Sequence, residues 1–149
     1  DHFAGAICRA MTEHFGNALP EMLVEPGRFI VGEAGVVHTE VVLVSARGRQ
    51  DGPRWVYLDI GRFGGLAETE GESIRYAIRT ARDGSPTGPV ALAGPTCDGA
   101  DILYEKSHYD LPLDLCSGEL IDLLGTGAYV STYCSTRFNG FAPLSEYYI

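Results

Sequence analysis

The segment Gly94-Pro95-Thr96-Cys97-Asp98-Gly99 places a thiol directly beside a carboxylate, between the apolar runs Val90-Ala91-Leu92-Ala93 and Ile102-Leu103-Tyr104. Glycine and proline force a loop, and loops at the ends of rigid strands are where reactive side chains meet ligands. A thiol, with a reference pKa of about 8.5, can deliver a proton at neutral pH when held on the correct face of a reacting carbon. The plainer alternative is a small buried cysteine ending a strand, with Asp98 capping the turn. A second cluster, Glu25-Pro26-Gly27-Arg28, combines an acid, a residue without Cβ and a fixed cation. Gly27 permits close approach of its N–H to a phosphate, and the Arg28 guanidinium adds two-pronged hydrogen bonding. Near a heteroaromatic ring, Glu25 would hold a ring nitrogen protonated and make that ring a better electron sink. Without such a ring, Glu25 and Arg28 form an ion pair around a Pro-Gly turn. In a third cluster, Gly127-Ala128-Tyr129 sets a phenol at a strand start, with the aromatic turn Phe138-Asn139-Gly140-Phe141 nearby. Tyr129 either donates to the same phosphate or fills a barrel with its hydroxyl satisfied.

Elements must position these groups. Helical spacing of Phe3, Ile7, Ala10, Met11 and Phe15 predicts an amphipathic helix from His2 to about Asn17, with Gly16-Asn17 as its stop. Glu21-Met22-Leu23-Val24-Glu25 reads as a brief strand ending at Pro26-Gly27. Helix followed by strand is the unit of an α/β barrel, and one such pair cannot close a barrel, so residues 1–34 read as the tail of something larger. Beyond Gly35, β-branched runs predict strands at 36–44, 54–60, 74–79, 89–93, 102–105, 119–124 and 128–134, with Arg47-Gly48 as one of the turns. The expected fold is mainly β: a C-terminal β-barrel or sandwich domain over 35–149, preceded by the last helix-strand piece of a (β/α)8 barrel. The glycine-rich stretch 61–69 lacks a following helix suited to phosphates and carries little weight as a nucleotide loop.

At 149 residues, 45% hydrophobic and 21% charged, the chain is long enough for one packed core. A net charge of -9 with only 11 lysines and arginines argues against nucleic acid as a partner, because affinity for a phosphate backbone comes from clustered cations. An acidic surface attracts small cations such as amines, although it is also an ordinary means of staying soluble. Cys8, Cys97, Cys116 and Cys134 are widely spaced, without zinc-type pairing, and are expected as reduced thiols with no metal site. The opening lacks a basic leader and no apolar run reaches membrane-spanning length, so a soluble, cytoplasmic chain is expected.

Taken in order, Glu25-Pro26-Gly27-Arg28, Gly94-Pro95-Thr96-Cys97-Asp98-Gly99, Gly127-Ala128-Tyr129 and Phe138-Asn139-Gly140-Phe141 resemble the C-terminal portion of the group IV amino-acid decarboxylases. These are pyridoxal-phosphate enzymes of the alanine-racemase-like class. Residues 59–69 and 101–106 are similar to their bacterial ornithine/lysine branch, and the resemblance covers essentially the whole chain. It implies an N-terminal (β/α)8 barrel that carries pyridoxal 5'-phosphate and a C-terminal β domain that completes the site across a head-to-tail dimer. Carried over by position, Glu25 would pair with the pyridine nitrogen, and Gly27, Arg28 and Tyr129 would hold the phosphate. Cys97 would protonate the carbanion left when carbon dioxide departs, Asp98 would bind the distal ammonium of the substrate, and Phe138 would line that pocket. A second acid from Glu68, Glu70 and Glu72 would assist. Asp98 suits a substrate ending in an amine, whereas Cys-Glu sequences mark the diaminopimelate sister group.

The chain departs from the family at the lysine that carries the cofactor. Lys106, its one lysine, follows the Cys97 loop and does not match that motif, and His2, His14, His38 and His108 do not match the ring-stacking histidine. The expectation is therefore about the final third of a decarboxylase of ornithine, with lysine as the other candidate. It would be inactive alone and completed by a companion barrel chain or fragment. The competing class is a non-catalytic, decarboxylase-like binding module. Retention of both the thiol and the phosphate corner favours the enzyme.

Overall fold

In the computed structural model, which describes residues 2–45 and 52–149, an N-terminal helical segment precedes seven strands joined in one curled sheet. Helix α1, His2–Phe15, follows the expected apolar spacing and buries none of its residues. The expected strand at 21–25 does not form: residues 18–26 are exposed and unpaired. A strand needs a neighbour to take its backbone hydrogen bonds, and none of the described strands lies beside this one. Pro26-Gly27 opens a short helix instead, α2 at Gly27–Val31, continued by a 3-10 turn at Gly32–Ala34.

The strands are β1 (Val36–Ser45), β2 (Arg54–Leu58), β3 (Ala77–Thr80), β4 (Thr87–Ala93), β5 (Ile102–Leu103), β6 (Tyr109–Pro112) and β7 (Leu120–Leu124). Their order is β3-β7-β1-β2-β4-β5, with β6 also on β4, and every pairing except β2 with β4 is antiparallel. The curl follows from β1. Its first half pairs with β7, its second half with β2, and a register shift falls between Val41 and Leu43. An inserted residue of this kind bends a strand and increases its twist. Val37, Thr39 and Val41 point inward while Val36, His38 and Glu40 face out, the period-2 pattern of a half-buried sheet. Inside the curl, Leu58, Leu92, Leu103, Leu111 and Leu123 are buried as one cluster.

Side chains bridge the two edges of the curl. Tyr109 Oη accepts the Ile78 N–H at 3.0 Å and Tyr104 Oη accepts the Tyr76 N–H at 3.0 Å, tying the β3 end of the sheet to the β5–β6 end. The expected barrel or sandwich thus takes the form of a half-barrel whose gap is spanned by two phenols.

Several boundaries differ from the sequence expectation. The run 102–105 stops after Leu103 because Tyr104 takes φ +55°, which breaks the pleat. The run 74–79 begins only at Ala77, and the short β6 was not anticipated. Residues 128–134 are not a strand. Tyr129 has φ +56° and a 3-10 turn occupies Ser131–Tyr133, so Tyr129 sits in a bend. The Arg47-Gly48 turn lies outside the described residues. Among the described residues, no helix is long and apolar enough to cross a membrane and no group of three metal-ligating side chains occurs. The four cysteines are free.

Replacing fully buried Leu92 by alanine is expected to cost about 2–5 kcal/mol in chemical denaturation, against less than about 0.5 kcal/mol for the exposed Leu120→Ala. Burial pushes the Tyr104 phenol up to about 12, from an ordinary value of 10.0. Because the folded state resists losing that proton, the contribution is intact below pH 10 and fades as pH rises towards 12. Tyr104→Phe should remove that share of the alkaline decline. It should also cost about 1–3 kcal/mol at neutral pH by stranding the Tyr76 N–H; denaturation across pH, with ultraviolet phenol titration, measures both.

Candidate functional site

Close backbone contact builds the first half of the site. A Cβ on Gly127 would lie 1.8 Å from Val31 O, and one on Gly35 would lie 2.4 Å from Gly127 N, so both positions require glycine. Through that approach the Gly127 N–H donates to Gly32 O at 2.9 Å and the Thr126 N–H to Gly35 O at 3.0 Å. The bend that follows delivers Tyr129 to the first turn of α2. A Cβ on Gly27 would stand 3.4 Å from Tyr129 Oη, and the Arg28 guanidinium lies 5.4 Å from the Tyr129 ring centroid. Gly27 and Arg28 therefore meet Tyr129, which is distant along the chain.

The Arg28 guanidinium is paired through Nη2 with Glu68, whose hydrogen bond raises its pKa further and keeps it cationic. The expected alternative partner, Glu25, is exposed in the unpaired segment and makes no hydrogen bond or ion pair among the described residues. Beside Arg28 and Glu68, Tyr76 is buried with a hydroxyl that meets no hydrogen-bond partner among the described residues. Burial first, then the Glu68 charge, push that phenol up. A cation with further N–H donors, a phenol and a residue without Cβ form a donor set that fits a phosphate monoester.

The second half is the thiol loop. Asp101, 2% exposed, occupies its centre. Its Oδ1 accepts the Arg62 N–H at 2.7 Å, and its Oδ2 accepts the Thr96 hydroxyl at 2.6 Å and the Thr96 N–H at 3.2 Å. Gly61 and Gly94 make room for it, since a Cβ on either would fall within 2.3 Å of its carboxylate oxygens. Cys97 follows Thr96 with φ +59° and an exposed thiol, whose Sγ lies 3.9 Å from Pro95 O. Asp98 is exposed, and its Oδ1 accepts the Ala100 N–H at 2.8 Å, so one carboxylate oxygen does cap the turn. Thr96 O accepts from Asn139 Nδ2 at 2.9 Å, which draws the aromatic turn onto the thiol loop. Phe138, next in the chain, stacks on Phe63 with centroids 4.1 Å apart, and both line a cleft together with Thr96 and Leu144.

The stretch 61–72 joins the two halves: its first residues hold Asp101 and its Glu68 holds Arg28. Each of the three candidate acids already has a partner. Glu68 pairs with Arg28, Glu70 with Arg62 at 2.9 Å, and Glu72 Oε1 accepts the Lys106 and Ser107 N–H groups at 2.7 and 3.1 Å. Sequence reasoning overlooked Asp101, Thr96, Asn139 and Tyr76, because no local pattern marks a residue whose partner comes from a distant loop. The one available signal was the short distance from Gly94 to Asp101, which forces the turn back on itself.

Comparison with known proteins identifies the sheet domain. Residues 28–127 match the family model described as the pyridoxal-dependent decarboxylase C-terminal sheet domain. Lysine/ornithine decarboxylase of Selenomonas ruminantium is 30% identical over 138 residues, covering 91% of this chain and 33% of that protein. Diaminopimelate decarboxylase of Actinosynnema pretiosum is 33% identical over 114 residues, covering 74% of this chain and 24% of that protein. The chain thus spans a third or less of the length of these relatives. The crystal structure of lysine/ornithine decarboxylase from Vibrio vulnificus, complexed with cadaverine, superposes with a TM-score of 0.75 at 32% identity, covering 96% of this chain and 37% of that one. A curled sheet of this topology, matched along most of its length by the family's own model, establishes that the chain belongs to the pyridoxal-dependent decarboxylases and contains their C-terminal sheet domain.

Proposed function

We propose that this chain supplies the C-terminal part of a decarboxylase that converts ornithine or lysine to the corresponding diamine and carbon dioxide. The supporting observation is that Gly27 and Arg28 meet Tyr129 at one corner while the Cys97 loop is joined to Phe138 at another. Residues 1–34 are read as the end of the cofactor-binding barrel and 35–149 as the β domain. The remaining barrel, with the lysine that carries the cofactor, comes from an N-terminal barrel chain or fragment of the same enzyme. Large apolar side chains exposed on α1 and α2, among them Phe3, Phe29 and Ile30, suit burial against it. A head-to-tail homodimer in the cytoplasm, with Cys97 and Asp98 reaching into the partner's site, completes the reading.

Pyridoxal 5'-phosphate, when bound, supplies an electron sink for the charge left at Cα on loss of carbon dioxide. Arg28, Gly27 and Tyr129 would hold its phosphate, and the Glu25 carboxylate would pair with the pyridine nitrogen. The Cys97 thiol would donate its proton to Cα and be left as a thiolate; release of the amine would fall to the barrel's lysine. The second oxygen of Asp98 takes the distal ammonium, and Phe138 packs against the methylene chain. The carboxylate of Asp98 favours a terminal amine over the extra carboxylate of diaminopimelate.

The test is made with the chain joined to its barrel. Cys97→Ala should lower the rate of amine formation about 10²–10⁴-fold with little change in KM. Asp98→Ala should chiefly raise KM, by about 10- to 100-fold, through loss of a charged hydrogen bond. Equal loss of cofactor absorbance in both variants would indicate a folding role instead, and no gain of that absorbance or of amine release with any complementary barrel would favour a non-catalytic module.

A further inference from the structure

We infer that Asp101 and Asn139 are positioning residues that grip Thr96 from two sides and thereby fix the Cys97 thiol and the Phe138 ring in one frame. The inference rests on Cys97 being the proton donor, as proposed above.

Thr96 is 5% exposed and uses three of its backbone and side-chain polar groups on these two residues. Its N–H and hydroxyl donate to Asp101 Oδ2 at 3.2 and 2.6 Å, and its carbonyl accepts from Asn139 Nδ2 at 2.9 Å. Cys97 is the next residue along the chain from Thr96, and Phe138 the one before Asn139, so a shift at Thr96 moves both. Among the described residues, Cys97 is exposed and the one polar contact of its thiol is the 3.9 Å approach to Pro95 O.

Both loops also carry backbone that needs holding. Cys97 sits at φ +59°, and Arg137, Asn139 and Gly140 at +59°, +49° and +85°. Non-glycine residues persist in this region where surrounding structure over-determines them. Here the clamp supplies that constraint, and the glycines at 61 and 94 leave room for the Asp101 carboxylate between the two loops. A proton donor must be aimed, and a misplacement of about 1 Å can cost about 10²-fold in rate. Asp101 and Asn139 are assigned no contact with the substrate; their effect passes through Thr96.

The experiment uses the complete enzyme with its barrel and cofactor. Thr96→Val keeps the side-chain shape and removes one clamp bond, Thr96→Ser restores the hydroxyl, and Asn139→Gly removes the other bond without burdening a left-handed backbone. Two quantities are read: amine formed per carbon dioxide released, and the rate of Cys97 alkylation by iodoacetamide without substrate. T96V and N139G should each lower the amine yield per carbon dioxide at least threefold, change the alkylation rate at least threefold and leave KM within twofold. T96S should stay within twofold of the parent in all three. If T96V and N139G lose only thermal stability, with both readouts within twofold of the parent, the inference is overturned while the role of Cys97 stands. If C97A itself leaves the amine yield and the rate unchanged, the proton-donor reading fails, and the inference with it.

Discussion

A buried carboxylate at Asp101 is the constraint on which the thiol end of this domain depends. Removing a charge from water is costly unless hydrogen bonds replace the lost solvation. Asp101 meets that requirement with donors from two different loops, the Arg62 N–H on one side and the Thr96 N–H and hydroxyl on the other. The loops cannot separate without stranding the charge, and they cannot come closer because only glycine fits at 61 and 94. Arg62 reinforces the joint from outside, its guanidinium donating to Ala100 O at 2.6 Å. The thiol loop is thus pinned to the stretch that leads to Glu68, and the same stretch reaches Arg28 at the opposite corner.

The half-barrel supplies the rigid frame between those corners. Its curl comes from one strand shared by two sheet segments, and its gap is bridged by Tyr104 and Tyr109 rather than by a further ladder. Arg75 lies 5.0 and 4.7 Å from the centroids of these two rings and donates to the Ser107 and His108 carbonyls, so the bridge and its loop move as a unit. The segment ending at Tyr76 is held by that bridge, and Tyr76 places its buried ring beside the Arg28–Glu68 pair. The setting of the Arg28–Glu68 pair therefore depends in part on the hydrogen bond that holds the Tyr76 backbone.

Legibility in the sequence varied with the range of the interaction. Helix α1, β1, β4 and β7 were readable because apolar periodicity is a local property, and burial alternates along β1 from Val36 to Val41. The strands expected at 21–25 and 128–134 failed for a common reason: apolar, β-branched composition makes a strand possible, but only a neighbour with free backbone groups makes one. Glu25 remained apart from its presumed partner because the segment that carries it is unpaired, and Arg28 found Glu68 across forty positions instead.

By itself, the sequence determined which residue types were available for chemistry: a thiol beside a carboxylate, an arginine beside a glycine, and a phenol after Gly127. Those were legible because adjacency along the chain is fixed by covalent bonds. Tertiary structure alone decided which of them meet, through the glycine contact that carries Tyr129 to Gly27 and through the Asp101–Thr96–Asn139 links that carry Phe138 to Cys97. Such encounters depend on close packing and on satisfying buried polar groups from distant loops, and neither leaves a trace in local spacing.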